Sequence, residues 1–202
     1  MIKISASIMA NGFSQKSVDL AQSADSIHID VMDGKFVENR IISAEEVAKL
    51  KSNIPKEVHL MVLEPENYIE DFAKAGVERI SFHIETAYNP EKVISLMEFH
   101  ELETGIAISP ETDVDDILKY LDSVDFVVVM SVHPGKSGQV FIEKSLEKIR
   151  LIRSSFPLID IEVDGGINVK TAKLAIEAGA NILVSGSFIY SGNPDENIGE
   201  LR

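Results

Sequence analysis

Apolar and polar residues alternate one for one in Ile27-His28-Ile29-Asp30-Val31, so a period of two sends His28 and Asp30 to one face and the three aliphatic residues to the other. The same rule divides Ile159-Asp160-Ile161-Glu162-Val163-Asp164 into three β-branched residues and three acids, and it separates Val58 and Leu60 from His59 and Met61. Strand-like runs recur near residues 2–7, 26–32, 56–61, 79–84, 104–109, 125–130, 158–163 and 181–185, each followed by a stretch of helical periodicity. Capping signals at Ser14, Ser43 and Thr112 predict helix starts, and Pro65-Glu66-Asn67 places Pro and an acid in another first turn. Small-residue phrases such as Ala75-Gly76-Val77 and Ala178-Gly179-Ala180 mark the returns to the next strand.

Eight strand-and-helix units predict a parallel sheet closed into a (β/α)8 TIM barrel, a single domain over residues 1–202. The alternative, an open doubly wound sheet, buries both faces of its central strands and favours unbroken apolar runs, whereas these strands alternate. In a barrel the reactive end lies where the strands finish, and His28, Asp30, His59 and Asp164 all fall there. One longer insertion, residues 131–139, follows the sixth strand and is a candidate glycine-containing lid.

Composition narrows the chemistry. The chain has 202 residues, no Cys, and 33 acidic against 19 basic side chains, for a net charge of −14. That balance argues against nucleic acid or an anionic membrane as partner, and it requires local compensation for any anionic ligand. Without Cys, His and carboxylate are the metal ligands to consider. Met1-Ile2-Lys3-Ile4-Ser5 lacks a signal peptide's apolar stretch, and the longest apolar runs are strand-sized, so a cytoplasmic protein is expected.

A lone inward His is usually a hydrogen-bonded core residue. Two inward Asp in one barrel, however, demand cations, because desolvating a carboxylate is costly. With two inward His beside them, the set His28, Asp30, His59 and Asp164 predicts a divalent metal site suited to Zn²⁺ and also to Mn²⁺, Fe²⁺ or Co²⁺. Gly165 and Gly166 after the seventh strand, and Gly186 and Ser187 after the eighth, lie where such barrels cradle phosphate. Asp33-Gly34 reads as a turn, and Met32, Met61 and Met130 read equally as core filler. The acidic run 111–116 reads as a helix N-terminus and His100 as a surface residue, while His83 and His133 receive no role.

Along nearly its whole length the sequence resembles the ribulose-phosphate 3-epimerase family. The matching phrases are Ser7-Ile8, His28-Ile29-Asp30-Val31-Met32-Asp33-Gly34, His59-Leu60-Met61-Val62, Met130-Ser131-Val132, Pro134-Gly135, Gly138-Gln139, Glu162-Val163-Asp164-Gly165-Gly166-Ile167 and Gly186-Ser187. The resemblance implies a barrel of the ribulose-phosphate-binding type, an isomerase of the pentose phosphate pathway and a divalent metal on His28, Asp30, His59 and Asp164. It implies that Asp30 and Asp164 transfer protons and that Ser7, His59, the loop of Gly135, Lys136, Ser137 and Gly138, with Gly165, Gly166, Gly186 and Ser187, contact a ketose phosphate. D-Ribulose 5-phosphate is the first candidate and D-allulose 6-phosphate the second; a homo-oligomer is compatible with either.

Some positions depart from the family pattern. The usual Pro before Ser7 is Ala6, Phe36-Val37-Glu38-Asn39 carries Glu in place of Pro, and Ser109 replaces Asn before Pro110. The loop expected as Asn-Pro-Gly-Phe-Gly-Gly-Gln reads His133-Pro134-Gly135-Lys136-Ser137-Gly138-Gln139, which puts a cation near the expected phosphate. A metal-dependent hydrolase would have no need of a phosphate cradle, and a non-catalytic sugar-phosphate-binding barrel would have no need of two inward Asp.

Overall fold

In the computed structural model, which describes residues 1–39 and 42–202, the strands follow one another around a closed parallel barrel. They are β1 (Lys3–Ser7), β2 (Ser26–Met32), β3 (Lys56–Met61), β4 (Arg79–His83), β5 (Glu103–Ile108), β6 (Phe126–Met130), β7 (Asp160–Asp164) and β8 (Ile182–Ser185). The circle closes where Ile4 of β1 pairs with Leu183 of β8, so no strand edge is left and the open doubly wound alternative is excluded. Observed strand limits match the predicted runs for β2 and β3 and differ from them by at most two residues elsewhere.

The outward phase of the alternation makes the main apolar core. Ile27, Ile29 and Val31 of β2, Val58 and Leu60 of β3, and Ile161 and Val163 of β7 are fully buried in one cluster with helix residues. Those helices are α1 (Gln15–Asp19), α2 (Ala44–Ala48), α3 (Ile69–Lys74), α4 (Pro90–Phe99), α5 (Ser145–Ser155), α6 (Val169–Ala178) and α7 (Pro194–Glu200). Ser14 caps α1 as expected, and Ser43 forms a full capping box with Glu46 at α2, which satisfies backbone donors at both ends of the box. Leu146, Ile149 and Ile152 place one face of α5 in the core.

The link from β5 to β6 departs from expectation. Thr112 starts no α-helix; two 3-10 stretches, Val114–Asp116 and Leu118–Ser123, make the connection. The Thr112 hydroxyl instead donates to Glu85, and Lys148 of α5 donates from Nζ to the carbonyls of Ser109, Pro110 and Thr112. Side chains thus engage the Thr112 hydroxyl and carbonyl, the groups that would have capped and opened a first helical turn. The acidic run accordingly opens a 3-10 turn at Val114. Among the described residues no helix is long and apolar enough to cross a membrane.

Candidate active site

Parallel pairing sets the functional side chains in tiers inside the barrel. Ser7 is level with His28, Asp30 with His59, and Asp164 with both Met130 and Val184. His28 and His59 are fully buried, and the side chains of Asp30 and Asp164 keep only 12% and 15% of their surface. From His59 Nδ1, Asp30 Oδ1 and Asp164 Oδ2 each lie at 3.6 Å. His28 Nε2 is 3.2 Å from Asp30 Oδ1 and 3.8 Å from Asp164 Oδ2. One ligand atom from each of the four lies within 4.8 Å of all the others. The structure therefore brings together all four residues predicted as metal ligands.

These residues fit a divalent cation. His59 Nδ1 is buried and has no hydrogen-bond partner, yet it is aimed between two carboxylates, which is the arrangement a shared cation would complete. Without a cation, protons take that part. Burial alone would push both imidazoles down; Asp30 leads the interactions that raise His28, and Asp164 those that raise His59 to about 9. For Asp30 burial acts upward, and the neighbouring His28 leads the interactions that hold it well below the carboxylate range. Cation uptake would then have to displace protons from imidazole.

Beneath this tier lies a second that the sequence reading did not assign. His28 Nδ1 faces Glu57 at 3.3 Å and Glu162 at 3.4 Å, and both glutamates are fully buried. Arg79 stands 3.6 Å from Glu57 and 3.7 Å from Glu162, and its guanidinium covers the Phe126 ring at 4.2 Å. Burial opposes ionisation of both acids. Arg79 leads the interactions that nevertheless hold Glu57 to about 2, whereas the Glu57 charge adds to burial and pushes Glu162 up to about 8. One cation, one anion and one neutral acid make an interior of low net charge. Strand phase carries the signal for these residues: Glu57 sits two positions before His59 and Glu162 two before Asp164.

His83 has a definite place as well. Its ring stacks on His59 at 5.0 Å between centroids, with Nε2 to Nε2 at 3.0 Å, and its Nδ1 is 3.0 Å from Glu85 Oε2. The other Glu85 oxygen accepts from the Ser109 amide at 2.7 Å and from the Thr112 hydroxyl. Burial works against the Glu85 charge, but the His83 hydrogen bond heads the interactions that hold it down to about 2, while burial pushes His83 itself down. His133, by contrast, is largely exposed and pairs with Glu111, and His100 is the half-buried C-cap of α4.

Above these four residues opens a cavity of about 600 Å³. Its wall includes Ser7, Gly135, Lys136, Ser137, Gly138, Gly165, Gly166, Gly186 and Ser187, together with Asp30 and Asp164. His59, the remaining predicted contact, is sealed below that wall and stays with the ligand cluster. Met32, Met61 and Met130 line the cavity, and Ser7 Oγ donates to Asp30 at 3.3 Å. Gly165 has φ +120°, and a Cβ there would sit 2.4 Å from Val132, so the backbone passes where only glycine fits. Ser131 steadies that turn by donating from its hydroxyl to the carbonyls of Asp164 and Gly165. The loop after β6 is stapled by Gln139, which donates to the carbonyls of His133 and Lys136, and by Asn39, which donates to Gly135. Asp33 accepts from the amides of Lys35, Phe36 and Leu63, which confirms its turn role.

A family model described as the ribulose-phosphate 3-epimerase family matches residues 3–190. The chain belongs to the ribulose-phosphate 3-epimerase family. Membership makes it an epimerase, an enzyme of the isomerase class. Among its relatives, a ribulose-phosphate 3-epimerase of Bacillus subtilis is 40% identical over 215 residues, covering 100% of this chain and 99% of that one. One from Schizosaccharomyces pombe is 38% identical over 210 residues, covering 99% and 92%. In fold, the epimerase is similar to KGPDC from Streptococcus mutans, with a TM-score of 0.75 at 15% identity over 99% of this chain and 95% of that one. A 3-hexulose-6-phosphate synthase gives a TM-score of 0.70 at 16% identity, covering 99% and 98%.

Proposed function

We propose that this epimerase inverts C3 of D-ribulose 5-phosphate to give D-xylulose 5-phosphate, with Asp30 and Asp164 as the proton-transferring pair. The observation that carries the reading is the placement of two carboxylates from non-adjacent strands, β2 and β7, at the floor of a cavity rimmed by glycine turns and Lys136. Removing the C3 proton on one face and returning one to the other requires two groups of opposite protonation state. One Asp, ionised, accepts the C3 proton; the other, protonated, delivers its own to the opposite face, so each turnover leaves their states exchanged.

His28, Asp30, His59 and Asp164 would hold one divalent cation, of which Zn²⁺, Mn²⁺, Fe²⁺ and Co²⁺ suit two imidazoles with two carboxylates. When bound, it supplies Lewis-acid stabilisation to the substrate oxygens that gain charge as the C3 proton leaves. Backbone amides at Gly165, Gly166, Gly186 and Ser187, with the Lys136 ammonium, bind the phosphate and offset the long-range repulsion of a chain of net charge −14. Ser7 orients Asp30 through its hydroxyl.

The test is epimerisation of D-ribulose 5-phosphate against D-allulose 6-phosphate, with metal content measured on the same sample. The expected result is turnover of the pentulose phosphate by protein carrying about one divalent ion per chain. Turnover of the hexulose phosphate alone would move the substrate assignment, and no turnover of either with metal bound would contradict the proposal.

A further inference from the structure

We infer that His83 and Glu85 are positioning residues that decide which nitrogen His59 offers to the cation. This rests on the metal reading above. The inference follows from counting hydrogens along one chain of contacts. Glu85 Oε1 already accepts from the Ser109 amide and the Thr112 hydroxyl, and its Oε2 faces His83 Nδ1 at 3.0 Å. An ionised carboxylate has no proton to give, so the hydrogen on that bond belongs to His83 Nδ1. A neutral His83 then has a bare Nε2, which can only accept. Its partner at 3.0 Å, His59 Nε2, must carry the hydrogen.

His59 is left with Nδ1 as its lone-pair nitrogen, and that is the atom set 3.6 Å from both Asp30 and Asp164 with no other partner. The geometry leaves little freedom to do otherwise. The two rings are stacked 14° from parallel, both are fully buried, and Phe36 closes over His83 at 5.0 Å. A ligating imidazole held through its second nitrogen in this way is fixed in orientation before the cation arrives, and it is the Nδ1 proton, not the Nε2 hydrogen, that leaves when the cation binds. Glu85 thus acts on the site across two rings without touching it.

Zinc ion is the probe. It is titrated by calorimetry into the full chain after metal stripping, for the wild type and for His83→Phe, which keeps a stacking ring but has no nitrogen. The zinc Kd is expected to rise about 10- to 100-fold in the variant while circular dichroism stays unchanged, whereas a packing role alone would leave affinity as it was. Long-range proton–nitrogen correlation spectra of the zinc-loaded wild type decide the matter even if that variant does not fold. They are expected to show hydrogen on Nδ1 of His83 and on Nε2 of His59, with His59 Nδ1 ligated. Zinc binding with hydrogen on His83 Nε2, or with unchanged affinity in a folded His83→Phe, overturns this inference and leaves the metal reading standing. Failure of the wild type to take up zinc overturns both.

Discussion

Lys136 is the residue where this chain departs most pointedly from the loop its family leads one to expect. It is the only Lys or Arg among the described residues lining the cavity, and it is exposed at the rim, where it can reach a ligand without first being desolvated. In the proposed function its contribution to binding a phosphate dianion would be a charge-assisted hydrogen bond, worth on the order of 1.5–3 kcal/mol. Because the phosphate lies away from C3, that binding is felt equally in the ground and transition states. Lys136→Met is therefore expected to raise KM about tenfold or more, with kcat changed by less than about threefold. Steady-state kinetics check this, and an unchanged KM would remove Lys136 from the phosphate site. Neighbouring departures fall elsewhere: Ser109 donates its amide to Glu85 and sets its hydroxyl 3.3 Å from His83 Nδ1, so it belongs to the support of His59.

At the scale of elements, the barrel interior depends on β5 yielding space to β6. Gly105 faces Phe126, and a Cβ built on it would lie 2.3 Å from the ring. That ring in turn supports Arg79 at 4.2 Å, and Arg79 compensates Glu57 and Glu162. Gly105→Ala is expected to cost about 1–3 kcal/mol by overpacking, read as a lower denaturation midpoint. Adding Phe126→Leu should recover part of the loss. A Gly105→Ala midpoint equal to wild type would show that the ring has room to move.

Strand phase made β2, β3 and β7, their clustered His and Asp residues and the glycine turns legible from the sequence. Period two is a local property, and the barrel imposes it on every strand. Arg79, Glu57 and Glu162 obeyed the same phase but drew no assignment, because only the closed barrel shows Arg79 of β4 beside Glu57 on the neighbouring β3 and within reach of Glu162 on β7 across the interior. The β5–β6 link failed for a related reason. Thr112 has the chemistry of a cap, and its hydroxyl was taken by Glu85, a residue 27 positions away.

For the molecule as a whole, strands and helices divide the labour. Outward-facing residues and helices build the apolar core, while the interior of the barrel carries the polar groups in tiers, with the compensated Glu57–Arg79–Glu162 set below and the His28–Asp30–His59–Asp164 set at the cavity floor. Such an interior is costly to fold, and a binding-only barrel gives no reason for carrying two inward acids at its cavity floor. The proton transfer assigned to Asp30 and Asp164 is most directly tested by running the reaction with D-ribulose 5-phosphate in deuterium oxide and locating the label by NMR. The account predicts D-xylulose 5-phosphate bearing deuterium at C3, and no turnover by Asp30→Asn or Asp164→Asn. Product formed by the wild type with only protium at C3 would contradict it.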